Sequence, residues 1–393
     1  MNDAISNQQL GTIESEYTTN NINLLIIEDD DGQIEQIQDA VRDFNRKEGE
    51  AENIKIDLRI VKTYNDAVLT LLKENFDAAI IDLKLSSTTD KDEGVDLIDI
   101  IIDKLRFPIF VRSGFPEKVE SINAEHYFVK VFKKTDKLDD IVAEIVKFYK
   151  KGITSTIGTK GKVEKYLNKI FWERLSKNIS FWDKDLLDNN RHEVSLVRYC
   201  LTLLQEHLEI AENGDGFLDY HPFEVFIKPP IKNNPFFGDV LFDSNNNYYI
   251  ILSPSCDMAQ EKYEKVTLVE IELLAEIKAF TERQQNFYKE KNKGKDKVEK
   301  AKKQVLAFLT NNHSAKYHFL PSYQEFSGGL INFQKVHSKT KEELAEMTRF
   351  ASVSGKFSKD ISARFSNYFA RQGQPNLDID VLLKSVLDLN QDK

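Results

Sequence analysis

Four short apolar runs in the first third of the chain each end on a charged or hydroxyl-bearing residue, and no other feature constrains the fold as tightly. LLII leads into Glu28 and Asp29, AAII into Asp82, PIFVR into Ser113, and VKVFK into Lys134. Between the runs, apolar residues recur at helical spacing: Ile34, Ile37 and Val41; Ala67, Leu71 and Leu72; Val95, Ile98 and Ile102. A last helix is expected behind Thr135 as N-cap, carrying Leu138, Ile141, Val142 and Ile145. This alternation predicts a doubly wound α/β domain over residues 21–151, with strands at 23–28, 55–62, 78–82, 108–112 and 127–133 and five helices. The carboxyl ends of parallel strands share one sheet edge, so the five polar residues are expected to meet in one crevice.

Their chemistry is coherent. Asp82, at the end of FDAAIIDLKL, is placed as a nucleophilic carboxylate able to hold a phosphoryl group as an acyl phosphate. An ionised aspartate and phosphate oxygens repel each other, which calls for a divalent cation, and Mg²⁺ suits an all-oxygen ligand set. Asp29 is expected to ligate it directly and Glu28 through water, with Asp82 and the backbone carbonyl of Lys84 completing the protein's share. The Ser113 hydroxyl and the Lys134 ammonium are then available for the remaining phosphoryl oxygens. Lys133 competes with Lys134 for that role, and spacing to Leu138 and Ile141 favours Lys134.

A chain of 393 residues exceeds one typical core, so two or three domains are expected. Residues 1–20 read as a disordered tail, and the polar start lacks the order of a signal peptide. No apolar run is long enough to span a membrane, and the protein is expected to be cytoplasmic. A net charge of −10 argues against broad attraction to nucleic acid. Cys200 and Cys256 lack CxxC spacing, which argues against structural zinc. SPSCDMA around Cys256 resembles a nucleophile setting, but no positive partner is assignable, and a buried structural cysteine is favoured.

Residues 152–214 read as a glycine- and threonine-rich linker, 152–162, followed by a helical connector. Its best amphipathic run carries Val197, Leu201, Leu204 and Leu208, with Trp172, Phe181 and Trp182 as packing anchors. Over 215–375, the runs FEVFIKPP, GDVLFD, NYYIILSP and GGLINFQKV predict a small, partly open β-barrel-like α+β domain. A charged helical hairpin at about 272–312 interrupts it. Residues 349–375 interleave basic and aromatic residues, read as an amphipathic helix with Phe357, Ile361 and Phe365 in the core. Residues 376–393 read as a C-terminal tail.

On Glu28-Asp29, Asp82, Ser113-Gly114 and Lys134, residues 21–150 resemble a receiver domain of two-component signalling. The resemblance implies a sheet in order 2-1-3-4-5, Asp82 as phosphoacceptor, and a histidine kinase as donor. The chain departs from the pattern in the long SSTTDKDEG loop that brings Gly94 late, in Thr135 where many receivers carry proline, and in Val131 where a switch aromatic is usual. With GDVLFD…ILSPSCDMA and FARQGQP, the whole chain resembles the receiver component of Detocs-type antiphage modules. That implies a phosphate sink in an antiviral phosphorelay, competing with a second response regulator and not itself an enzyme. The alternative is a response regulator whose C-terminal domain is a phosphorylation-controlled effector, acting on RNA.

Overall fold

A computed structural model describes residues 20–85, 93–119, 125–178, 189–210, 216–292, 294–371, 373 and 375–388. Most of the expected N-terminal tail, most of the loop after Asp82, and Phe181 and Trp182 lie outside the described residues. The chain divides into two compact units, the first ending at Leu218 and the second beginning at Asp219. Among the described residues, no helix is long and apolar enough to cross a membrane.

The first unit is built on five parallel strands: β1 (Asn20–Ile27), β2 (Ile54–Val61), β3 (Ala78–Ile81), β4 (Ile109–Ser113) and β5 (Val129–Lys133). Their order is β2-β1-β3-β4-β5, as in a receiver domain. The covering helices are α1 (Asp31–Phe44), α2 (Tyr64–Lys73), α3 (Glu93–Lys104) and α4 (Leu138–Lys150). Strand alternation splits β1 between two cores. Leu24 and Ile26 pack with Ile37, Val41, Ile141 and Ile145 of α1 and α4, whereas Leu25 and Ile27 pack with Ala67, Leu71, Leu97 and Ile98 of α2 and α3. Cover on both faces buries Leu24–Ile27 of β1 and every residue of β3 and β4, which is why LLII and AAII are continuously apolar, whereas the outer strands β2 and β5 keep exposed polar residues such as Lys55, Arg59 and Lys133.

Local chemistry sets the helix starts. The Asp30 carboxylate accepts from the Gln33 N–H at 2.8 Å and caps α1, and Thr63 caps α2. Thr135 does not cap α4, which begins after Lys137. The Asp136 carboxylate instead accepts from the Lys133 N–H at 2.8 Å, and the Asp136 N–H donates to the Lys133 carbonyl at 3.0 Å. The chain is thereby folded into a tight turn around Lys134 before the helix can start. Between β4 and β5 the described residues include a 3₁₀ turn, Pro116–Val119, and residues 120–124, where the fourth helix is expected, lie outside the described residues.

Beyond β5, a short helix (Ile153–Ile157) lies within the segment read as linker. It is followed by α5 (Lys162–Ile170) and α6 (Asn189–Glu209). Trp172 is 67% exposed, so it is not the packing anchor the sequence suggested.

The second unit is a seven-stranded antiparallel sheet of β6 (Phe226–Ile227), β7 (Asp239–Phe242), β8 (Tyr248–Ile251), β9 (Lys265–Leu273), β10 (Tyr317–Leu320), β11 (Gly329–Thr340) and β12 (Thr348–Val353). Its order is β10-β11-β9-β8-β7-β12-β6. Phe226 and Leu320, from the two edge strands, enter one core with Phe326, Phe333, Phe350 and Ile361, so the sheet curls around it. The hairpin of α7 (Lys278–Glu290) and α8 (Lys295–Leu309) interrupts the sheet and is pinned by Phe280 against Phe308, 5.5 Å between ring centres. In α9 (Gly355–Ala370), Ile361 is fully buried, and Phe357 and Phe365 pack on the same core. The following residues include a helix, α10 (Ile379–Asp388).

His318 on β10 is 6% exposed, and burial pushes its pKa down to about 4 despite the Asp360 carboxylate 3.7 Å away. A depressed histidine pKa means that, between the unfolded and folded values, the unfolded chain holds more protons. Stability of the second unit is therefore expected to fall as pH drops from about 6.5 to about 4, by about 3 kcal/mol from this one residue. Urea unfolding of the full chain across that range, compared with His318→Leu, checks this. The variant should lack that part of the acid dependence.

Candidate functional site

The four strand ends of the first unit deliver their polar residues to one edge. Glu28 follows β1 and is 2% exposed, Asp82 follows β3 and is 4% exposed, and Ser113 closes β4 and is 1% exposed. The backbone N–H of Asp82 donates to the Ile27 carbonyl at 2.9 Å, extending the β1–β3 ladder by one rung beneath the acid. Asp29, Asp82, Lys84, Ser113 and Lys134 line one cleft of about 600 Å³, with Phe115 also on its wall.

The cleft is electrostatically unbalanced. The Lys134 ammonium donates to Asp82 Oδ2 at 2.8 Å and approaches Glu28 Oε2 at 3.2 Å. Carboxylate oxygens of Glu28, Asp29 and Asp82 lie within 4.8 Å of one another. Two buried carboxylates thus share one ammonium, with a third acid exposed beside them. Asp82 Oδ1 is buried and has no hydrogen-bond partner. A buried unpaired carboxylate oxygen is costly, so this atom marks where positive charge is missing.

The protonation equilibria follow. Burial, and then the Asp82 charge, raise the pKa of Glu28 above the usual carboxylate range, against the pull of Lys134. Burial pulls the Lys134 ammonium down, but the hydrogen bond and charge of Asp82, followed by those of Glu28, outweigh it and the pKa rises. Lys134 is thus held firmly as a cation.

Lys133 does not reach the acids: its side chain is exposed and its N–H is engaged by Asp136. The Ser113 hydroxyl accepts from the Phe115 N–H at 3.3 Å, and Phe115 is 51% exposed. Val131, in the position read as lacking a switch aromatic, is half-buried against the α2/α3 core. Gly94 sits where a Cβ would come within 2.4 Å of both the Asp82 carbonyl oxygen and Leu83 Cα. Its N–H donates to the Leu83 carbonyl at 3.1 Å, so only glycine lets α3 start this close to the segment that follows β3.

Arg112 was not singled out from the sequence. It is 2% exposed, and its Nη2 donates to the Lys134 carbonyl at 2.8 Å while Nη1 donates to Gln33 Oε1. The guanidinium thereby ties the lysine turn to the first turn of α1. Burial lowers its pKa, opposed by the charges of Glu28, Asp82 and Asp136, yet an arginine so placed stays charged. A charged residue inside the apolar run PIFVR was the available signal.

Cys256, expected to be buried, is exposed, with its thiol 3.5 Å from the Asp257 carboxylate.

Structural neighbours of the N-terminal third are response regulator receiver domains. A Francisella receiver domain is 19% identical and covers 33% of this chain and 98% of its own, with a TM-score of 0.26. The receiver domain of the PhyR response regulator of Erythrobacter litoralis is 19% identical over 33% of this chain and 91% of its own, with a TM-score of 0.27. A receiver domain from Methylobacillus flagellatus is 19% identical over 32% of this chain and 98% of its own, with a TM-score of 0.25. No family model matches the chain. No curated protein matches it either.

Proposed function

We propose that this chain is a two-component phosphoacceptor that takes a phosphoryl group from a partner histidine kinase onto Asp82. The observation that carries this reading is the state of Asp82 itself: Oδ2 is held by Lys134 while Oδ1 is buried, unpaired and beside two further acids. One oxygen is oriented and the other is left for chemistry.

The residues present fit a divalent cation, on the unpaired Oδ1 and the clustered carboxylates. Glu28, Asp29, Asp82 and the backbone carbonyl of Lys84 would hold Mg²⁺, which when bound supplies positive charge against phosphoryl oxygens. In the transfer, an Asp82 carboxylate oxygen bonds to phosphorus as the P–N bond of the donor phosphohistidine breaks. The imidazole nitrogen keeps the electron pair and takes a proton from solvent. Lys134 and Ser113 bind phosphoryl oxygens, and Arg112 holds the lysine turn in place.

Incubating the full chain with acetyl phosphate or with a sensor kinase and its ATP, with and without Mg²⁺, tests this. One hydroxylamine-labile phosphoryl group per chain, dependent on Mg²⁺, is expected. No incorporation from either donor would overturn the reading.

Within that reading we assign a sink role in an antiviral, cytoplasmic phosphorelay, with residues 21–151 as the acceptor module and no enzymatic activity of its own. Its support is the whole-chain resemblance to the receiver component of Detocs-type modules and the placement of Phe115 where it can limit access of water to the acyl phosphate. Adding the chain to a kinase and its second response regulator is expected to lower labelling of that regulator. RNA binding or cleavage that appears only on phosphorylation would favour the effector alternative.

A further inference from the structure

The connector helix α6 carries a surface that the phosphoacceptor chemistry does not use. It spans 21 residues, about 31 Å at the rise of an α-helix. Val194, Val197, Leu201, Leu204 and Leu208 follow one another at steps of three, four, three and four residues. Val194, Val197, Leu201 and Leu208 are 50%, 58%, 58% and 48% exposed. A single exposed leucine is ordinary, whereas an apolar stripe running along a helix marks an interface. The helix is already partnered on another side, where His207 stacks on Tyr166 of α5 with ring centres 6.5 Å apart.

The period of the stripe selects the kind of partner. Steps of three and four average 3.5 residues, the repeat that keeps a seam facing another helix along its length. The flanking charges select the orientation. Glu193 precedes the stripe and Arg198 lies five residues on, the separation at which flanking residues meet across a parallel, in-register helix pair. Two copies of α6 side by side would bring Glu193 of each toward Arg198 of the other, twice by symmetry. An antiparallel pair centred on Leu201 would instead bring Glu193 toward the His207 end of the opposing stripe.

We propose that α6 is the dimerisation helix of this protein, pairing in parallel with α6 of a second copy through the Val194–Leu208 stripe. The inference is independent of the chemistry at Asp82. Sedimentation of the full chain from about 1 to 100 μM should show a reversible dimer, and Leu201→Lys should weaken it about 100-fold with the helical signal unchanged. Leu201 is exposed, so that substitution leaves the fold of the protomer intact. In a Cys200→Ser, Cys256→Ser background, Val197→Cys should cross-link to itself under mild oxidation, and Thr202→Cys, off the stripe, should not. Glu193→Arg and Arg198→Glu should each weaken the dimer, and together restore it. A chain that stays monomeric over this range, a dimer indifferent to Leu201→Lys, or a dimer in which Val197→Cys fails to cross-link would each overturn the proposal.

Discussion

The Asp82→Asn protein is expected to take up no phosphoryl label from either donor and to be more stable than the wild type. An amide nitrogen is not a nucleophile toward phosphorus, so incorporation should fall to background. The stability gain follows from the same geometry. Asparagine keeps an oxygen for the Lys134 ammonium, now 2.8 Å from Asp82 Oδ2, but removes the charge that helps to raise the Glu28 pKa. Glu28 then has Lys134 to itself. Relief of this kind at a functional site is worth roughly 1 kcal/mol, seen as a rise in Tm of about 2–4 °C for a unit of this size. Residual labelling of the variant would place the acceptor on another residue.

Lys134→Ala should lose labelling too, with the opposite effect on stability. It removes the ammonium that reaches both acids and leaves the Glu28 and Asp82 carboxylates buried together without it. Breaking a buried pair by deleting one partner costs about 3–5 kcal/mol. The pH dependence identifies the cause. Without Lys134 the Glu28 pKa, already raised by burial and by Asp82, rises further. A carboxyl group whose folded pKa lies above its unfolded value stabilises the fold when protonated and loses that contribution as pH rises through the folded pKa. The deficit of the variant should therefore be widest above that value and shrink toward acid. Denaturant unfolding at neutral and mildly acidic pH measures it, and an equal deficit at both would point to lost packing rather than exposed charge conflict.

These two substitutions concern residues that were legible in the sequence, for a definite reason. Glu28 and Asp82 stand where an unbroken apolar run stops, and Ser113 ends and Lys134 follows a mostly apolar strand; at the carboxyl ends of parallel strands these stops share one sheet edge. The two-faced packing follows from the same alternation, whereas the strand order was legible only through the resemblance to receiver domains. What could not be read depends on competition or on distance. Thr135 looked like the cap of α4, but Asp136 bonds back to Lys133 and delays the helix. Arg112 sits inside an apolar run, and its role exists only because Gln33, 79 residues away, and the Lys134 carbonyl arrive at the same point. The curl of the second sheet was legible only as many short strands; its strand order required the long-range pairings of β9 with β11 and of β7 with β12.

Most contacts between a helix and a strand are cushioned by side chains that can change rotamer and absorb a shift. At Gly94 that cushion is missing: the first turn of α3 lies against the main chain of Asp82 and Leu83 with no Cβ between them. A change in bonding at the Asp82 carboxylate that moves its peptide by a few tenths of an ångström has no side chain at this point to dissipate it. The helix must then travel with the peptide or break its 3.1 Å bond to the Leu83 carbonyl. Backbone pressed on backbone ties the start of the twelve-residue helix α3 to the peptide of Asp82, so a displacement of that peptide is passed to the helix without a side chain in between.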